Sequence, residues 1–192
     1  SAGDFRVRDD AAYLYYCSNE TIQGVQFPSE PDCPETVPLV SDASSDFLCR
    51  PLPINKYGLI YACAQKNAGP AGVTVVVMRR DLLDRGSESL PGYLQYRNHA
   101  AGGSMWNTPP TFAIYVLGKV ARWLADDIGG LESMEKQKQA ILMHKFEGYS
   151  HKEIAAALNI SISTSKSQLM KARKVLQKKV TFKQNNYTQE HG

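Results

Sequence analysis

Four short apolar runs, each stopping on polar or charged residues, constrain this chain most. Residues 12–17 (AYLYYC) run into Ser18-Asn19-Glu20-Thr21, and residues 37–40 run into Ser41-Asp42. Residues 57–64 (YGLIYACA) stop at Gln65-Lys66-Asn67. Residues 73–78 (VTVVVM) are almost all β-branched and lie between Gly72 and Arg79-Arg80. Runs this apolar, without polar alternation, predict strands covered on both faces, and therefore an α/β sheet. Asn107-Thr108-Pro109-Pro110 then opens a helix over about 111–127, because proline suits a first helical turn. Gly129-Gly130 stops it. Its expected apolar stripe is Phe112, Val116, Val120, Trp123 and Leu124.

The length of 192 residues, with 43% hydrophobic and 21% charged residues, excludes wholesale disorder and collagen-like structure and allows one to two domains. No apolar run reaches the roughly 18 residues of a membrane-spanning helix. The opening SAGDFRVRDD has no apolar signal core, and its lack of an initial Met is expected of a processed chain or a fragment. Cys17, Cys33, Cys49 and Cys63 are widely spread with no CxxC pair. That spacing argues against a zinc site or a disulfide framework and fits a reducing cytoplasm.

The net charge of +3 conceals a split. Residues 1–134 hold 11 Lys and Arg against 15 Asp and Glu, net −4, whereas residues 135–192 hold 11 against 4, net +7. Nearly all Pro and Gly precede position 135, and a helical vocabulary of Lys, Gln, Ala, Ser and Leu follows it. The boundary is therefore expected near 134–137, with units over 1–134 and 135–180 and a polar, frayed tail over 181–192. The basic unit is the one expected to meet an anionic partner.

In an open α/β sheet, ligands sit beyond the carboxyl ends of the strands. Three runs end near Thr21, Asp42 and Lys66, so a hydroxyl, a carboxylate and an amine could meet on one ligand. Pyridoxal phosphate needs these groups: an amine for a Schiff base, an anion for the pyridinium nitrogen, and polar donors for the ring oxygen and phosphate. Partial desolvation beside other cations would lower the amine's pKa and free it to attack a carbonyl. Taken singly, each residue has a plainer reading. Lys66 reads as a solvated strand-end lysine, Asp42 as a turn cap, Thr21 as a helix cap, and residues 69–72 as a turn.

The stretches YCSNETIQGVQF, SDASSDFLCRP, YGLIYACAQKNAGPAGVTVVVMRRDLL and SMWNTPPTFAIYVLG resemble the phosphoserine aminotransferase family nearly continuously over residues 1–134. The resemblance implies the fold type I pyridoxal phosphate-dependent transferase architecture, of which this would be part of the large domain. It also implies serine biosynthesis, with amino transfer between glutamate and 3-phosphohydroxypyruvate. By it, Lys66 in AQKN is the Schiff-base lysine, Asp42 in SDASS pairs with the pyridine nitrogen, Thr21 in SNET reaches the cofactor ring, and Gln65 contacts the phosphate. Asn107 and Thr108 in NTPP would contact the phosphate of the neighbouring subunit's cofactor in a homodimer. The family segments carrying a phosphate-binding Arg, a ring-stacking aromatic and the substrate-carboxylate Arg have no counterpart in these residues. Weak cofactor binding and little turnover are expected of them alone.

Residues 135–180 read as an all-α helix-turn-helix. A helix over 138–146 places Ile141, Leu142, Lys145 and Phe146 at helical spacing, and Glu147-Gly148-Tyr149 breaks it. Ser150 and Glu153 form a capping box for a helix to about Leu158. Asn159-Ile160-Ser161 is a turn. A basic helix over 162–180 follows, with Leu169, Ala172, Val175 and Leu176 facing inward. One reading is DNA recognition, with Ser163, Thr164, Ser165, Lys166 and Gln168 at base edges or phosphates and Lys171, Arg173 and Lys174 on phosphates. The other is a solvated basic helix packed on two others. HKFEGYSHKEIAAALNISISTSKSQLMKARKVLQKK resembles region four of bacterial extracytoplasmic-function sigma factors. That implies binding to −35 promoter DNA and to the β-flap of RNA polymerase, although Ile162-Ser163 stands where many relatives carry Glu-Gly. The stretch LESMEKQK suits either family, so the chain reads as a chimera joined there. A fusion with neither activity is the third possibility.

Overall fold

The computed structural model describes residues 6–145, 147–174 and 177. Its contacts divide the chain into two compact units, Ser1–Trp123 and Leu124–Gly192.

The first unit is built on a four-stranded sheet. Its strands are β1 (Leu14–Cys17), β4 (Leu39–Asp42), β5 (Tyr57–Cys63) and β6 (Thr74–Met78), in the spatial order β1-β4-β5-β6. A two-stranded hairpin, β2 (Asn19–Glu20) with β3 (Val25–Gln26), follows β1 and was not legible in the sequence. β1, β4 and β5 are parallel, pairing Cys17 with Asp42 and Asp42 with Tyr61. That register brings all three carboxyl ends to one edge. β6 runs antiparallel to β5, with Cys63 opposite Thr74.

Two glycines are needed where they stand. Gly72 holds φ +109° in the connection from β5 to β6, a region that side-chain-bearing residues rarely adopt. A Cβ on Gly58 would lie 2.7 Å from Pro38 Cβ, so β5 can approach the start of β4 only with glycine there.

Tyr16, Leu39, Ala43, Tyr57, Ile60 and Ala62 form the core on one face of the sheet, with Phe27, Phe47 and Leu52 packed against them. Within it Tyr16 Oη and Tyr57 Oη lie 2.9 Å apart, Tyr57 Oη donates to Glu30 Oε1 at 2.9 Å, and Arg50 Nη2 donates to the same oxygen at 3.1 Å. Each buried oxygen of this chain of groups has a partner. Burial, then the Tyr16 hydroxyl, then Glu30 push the Tyr57 phenol well above its ordinary value. Burial raises the Glu30 carboxyl, but hydrogen bonds from its own backbone, Tyr57 and Arg50 outweigh this and hold it low.

The expectation of a sheet covered on both faces is corrected among the described residues. Tyr15, Val40, Tyr61 and Met78 line an open cleft of about 890 Å³, and Val76 and Val77 on β6 are 40% and 43% exposed. The β-branched content marks these strands correctly, but burial depends on elements packed over them, which composition cannot report.

After short helix α1 (Tyr96–Ala101), helix α2 (Thr111–Arg122) begins just beyond the two prolines. The expected stripe is only partly buried. Ala113 is buried and Val116 and Val120 are half-buried, but Phe112 is 73% exposed and Trp123 36%. The buried line follows the small residue because α2 runs close to the 69–72 turn, where a Cβ on Gly69 would lie 3.5 Å from Leu117 N.

The second unit starts with a wide π-type turn, Trp123–Ile128 (its first residue closing the first unit), that ends at Gly129 and Gly130, both at positive φ. Gly130 N donates to Leu124 O at 2.8 Å and closes it. Helix α3 (Leu131–Lys145) runs through the composition break at 134–137 without interruption. Its buried positions are Gln137 and Ala140, while Leu142 is 43% exposed. Helix α4 (His151–Ala157) begins with the expected capping box. Glu153 N donates to Ser150 Oγ at 3.3 Å, and Ser150 N donates to Glu153 Oε2 at 2.8 Å.

Asn159 at φ +50° turns the chain, and residues 162–174 are helical. Ser161 caps this last helix by accepting from Thr164 N at 3.0 Å, a role that the sequence reading gave to no residue. Ile154, Ala155, Leu169 and Ala172 are buried. Phe146, Val175, Leu176 and residues 178–192, with the end of the basic helix and the tail, lie outside the described residues.

Candidate functional site

The parallel register of β1, β4 and β5 delivers three loops to one edge of the sheet. Thr21 lies in the turn between β2 and β3, Asp42 ends β4, and Lys66 lies in the turn after β5. Lys66 Nζ donates to Thr21 Oγ1 at 3.4 Å. Thr21 Oγ1 is 2.6 Å from Ser45 Oγ. Asp42 Oδ1 accepts from Ser44 N at 2.9 Å, and Ser44 Oγ accepts from Cys63 N at 3.0 Å. The turn after β4 thus fixes the carboxylate, ties itself to the end of β5 and reaches the threonine that touches the lysine. Tyr61, opposite Asp42 in the register, has its phenol pushed up by its contact with Tyr15 at 3.4 Å, then by burial, then by Asp42.

Three positions that sequence reasoning passed over hold this cluster together. Ser44 and Ser45 are the first two. The third is Asn67, whose Nδ2 donates to Phe47 O at 2.8 Å and lies 3.5 Å from Cys49 Sγ, joining the turn after β5 to the turn after β4. The sequence held a signal for them, since SDASSD and QKN supply short polar side chains at the expected strand ends. Beneath the cluster Asp46 is buried, accepting from Ser18 Oγ and from Gln26 Nε2, the latter at 3.2 Å.

The remaining expected residues fare differently. Gln65 is exposed beside Lys66. Asn107 and Thr108 are exposed, their nearest tie being Asn107 Nδ2 to Thr108 O at 3.5 Å, and no hydrogen bond links them to Thr21, Asp42 or Lys66 among the described residues. Lys66 is itself exposed, so the partial desolvation expected of its amine is not supplied by this chain's described residues. It makes no ion pair among them either, which leaves the amine open to a ligand. An open amine, a fixed carboxylate and two hydroxyls on one edge suit a ligand that carries a carbonyl, a ring nitrogen and polar oxygens. No group of His, Cys, Asp and Glu that could hold a metal occurs among the described residues.

In the second unit Ser163, Lys166, Lys171, Arg173 and Lys174 are exposed, and Thr164 is half-buried. Ser165 is corrected as a DNA-contacting residue. It is 0% exposed, and its Oγ sits 3.0 Å from His151 Nδ1, because its position faces α4 rather than solvent. Gln168 is half-buried, with its carbonyl oxygen enclosed and without a partner among the described residues.

Comparison with known proteins places residues 4–178 in the family described as Aminotransferase class-V. A phosphoserine aminotransferase from Rhodopirellula baltica is 76% identical over 135 residues, covering 70% of this chain and 36% of the relative. One from Lysinibacillus sphaericus is 42% identical over 178 residues, covering 88% of this chain and 49% of the relative, so that the likeness extends into the second unit. A crystal structure of a phosphoserine aminotransferase from Trichomonas vaginalis with bound PLP matches at a TM-score of 0.64 and 45% identity, over 71% of this chain and 40% of that one. The chain therefore spans less than half the length of these relatives. No helix among the described residues is long and apolar enough to cross a membrane.

Proposed function

The chain belongs to the class-V aminotransferases, and from that premise we propose that its first unit is the pyridoxal phosphate-binding part of a phosphoserine aminotransferase. The reaction is amino transfer between glutamate and 3-phosphohydroxypyruvate, in serine biosynthesis, in a homodimer. One observation carries the reading: Lys66 Nζ lies 3.4 Å from Thr21 Oγ1, on the sheet edge where Asp42 ends its strand.

When bound, pyridoxal phosphate supplies a carbonyl for amines and a ring that accepts the electron pair released at a substrate α-carbon. Lys66 Nζ would hold the cofactor at its carbonyl carbon and, as a free amine, would carry the proton taken from and returned to the substrate α-carbon. Asp42, held by Ser44 N, keeps the proton on the pyridine nitrogen. Thr21, oriented by Ser45, donates to the ring's oxygen. Gln65 meets the phosphate, and Asn107 and Thr108 meet the phosphate of the neighbouring subunit. Titrating pyridoxal phosphate into the full chain tests this. A saturable visible absorption band that Lys66→Ala abolishes supports the reading, and no band at saturating cofactor refutes it.

A specific observation favours a second reading for the second unit. Lys166, Lys171, Arg173 and Lys174 are exposed on one helix and pair with no carboxylate among the described residues. On this reading the 162–174 helix enters the DNA major groove, with Ser163 and Thr164 near base edges and the four cations on phosphates, in the manner of sigma region four docking with RNA polymerase. Duplex binding that falls steeply with salt and weakens in Arg173→Ala supports it. Binding unaffected by deleting residues 150–192 counts against it.

A further inference from the structure

The second unit holds a cleft of about 510 Å³ lined by none of the residues assigned to the cofactor above. Lys166, Arg173, Lys174 and His151 line it, over the apolar floor of Leu169. Glu153, two residues from His151, is turned to the helix start, where its Oε2 accepts from Ser150 N at 2.8 Å and Ser150 Oγ at 2.7 Å. Among the described residues none of Lys166, Arg173 and Lys174 is ion-paired with a carboxylate.

His151 is held in place on this wall. Its ring stacks on that of His144, with centroids 4.8 Å apart at 20°. Its Nδ1 lies 3.0 Å from the buried Ser165 Oγ, and His144 Nδ1 donates to Tyr149 O at 3.0 Å. From α3 it faces His144. From the last helix it faces Ser165, Lys166, Arg173 and Lys174, and on its own helix it adjoins Lys152 and the occupied Glu153. A proton taken up by His151 thus adds a charge to a wall that is already cationic.

We propose that this cleft binds the phosphodiester backbone of duplex DNA and that His151 makes the binding proton-coupled. The proposal rests on the second reading above and adds to it a site and a regulator. A polymer of phosphates is the occupant because Lys166 and Arg173 stand two helical turns apart, about 10 Å along the axis, a span that one free phosphate does not bridge. Desolvation, then the charges of His144 and Lys166, disfavour the His151 imidazolium. An anion seated there reverses the sign of the local field, so binding takes up a proton. By reciprocity, protonation tightens binding.

The test is fluorescence anisotropy of a labelled duplex oligonucleotide with the full chain, at constant ionic strength, at about pH 8 and about pH 6. Binding is expected to be roughly threefold to tenfold tighter at the lower pH. His151→Gln is expected to flatten that dependence. His144→Gln is expected to keep it and move its midpoint up, with helix content by circular dichroism confirming that both variants fold. Unlabelled duplex should compete far better than inorganic phosphate. Duplex binding independent of pH, or a pH dependence retained in His151→Gln, overturns the proposal and leaves the DNA reading standing. No duplex binding at either pH overturns both. Inorganic phosphate competing as well as duplex overturns the choice of occupant.

Discussion

Lys66 Nζ and Thr21 Oγ1 lie 3.4 Å apart although 45 residues separate them in the chain. Parallel pairing of β1 with β4 and of β4 with β5 places the turns that carry them on one edge. Thr21→Val keeps the shape and removes both the contact to Lys66 and the 2.6 Å contact to Ser45. Pyridoxal phosphate affinity is expected to fall by roughly twofold to tenfold, the value of one ordinary hydrogen bond, as read by absorbance titration. Unchanged affinity would show that Thr21 does not meet the cofactor.

Gly58→Ala tests the packing that sets β4 against β5. The added methyl would sit 2.7 Å from Pro38 Cβ and 3.0 Å from Leu82 Cδ1. Overpacking of this kind costs about 1–3 kcal/mol. A lower unfolding midpoint in denaturant with an unchanged slope is the expected result.

Tyr57→Phe tests the buried network. It leaves the Tyr16 hydroxyl without its 2.9 Å partner and removes the Tyr57 donor from Glu30, which keeps Arg50. Orphaning a buried hydroxyl costs about 1–3 kcal/mol. Tyr16→Phe combined with Tyr57→Phe should cost less than the sum of the two single changes, because the pair then leaves no hydroxyl unpaired. A double-mutant cycle measures that coupling.

Acid should weaken the second unit. The folded state holds His151 below its ordinary 6.5, so between that depressed value and 6.5 the unfolded chain binds more protons. Stability therefore rises with pH across that window and falls on acidification. Hydrogen bonds from Ser150 N and then Ser150 Oγ hold Glu153 below its ordinary 4.5, and the stability this supplies at neutral pH is lost as pH falls through the depressed value. Helix content by circular dichroism during urea unfolding should show a lower midpoint at about pH 5 than at about pH 7, and Ser150→Ala should cost about 1 kcal/mol at neutral pH.

Much of this was legible in the sequence. Three of the four sheet strands fall inside their apolar runs and β4 overlaps its run but extends through Ser41-Asp42, because β-branched and aromatic residues bounded by turn formers mark strands better than they mark strand ends. That the turns carrying Thr21 and Lys66 meet on the edge where Asp42 ends β4 was legible because parallel strands bring their carboxyl ends to one edge. Ser44, Ser45 and Asn67 were missed because their roles rest on contacts between turns, which have no sequence period. The uncovered sheet face and the exposed Phe112 could not be read, since burial depends on what packs nearby. Ser165 was misassigned because the start of a basic helix carries both outward and inward positions, and only the place of α4 tells them apart.

The central claim is that Lys66 is the amine that holds pyridoxal phosphate. Borohydride reduction of the full chain with pyridoxal phosphate, followed by peptide mapping by mass spectrometry, tests it most directly. One pyridoxyl adduct per chain, on the peptide containing Lys66 and absent from Lys66→Ala, is the result expected. Label scattered over other lysines, or unchanged in Lys66→Ala, would contradict it.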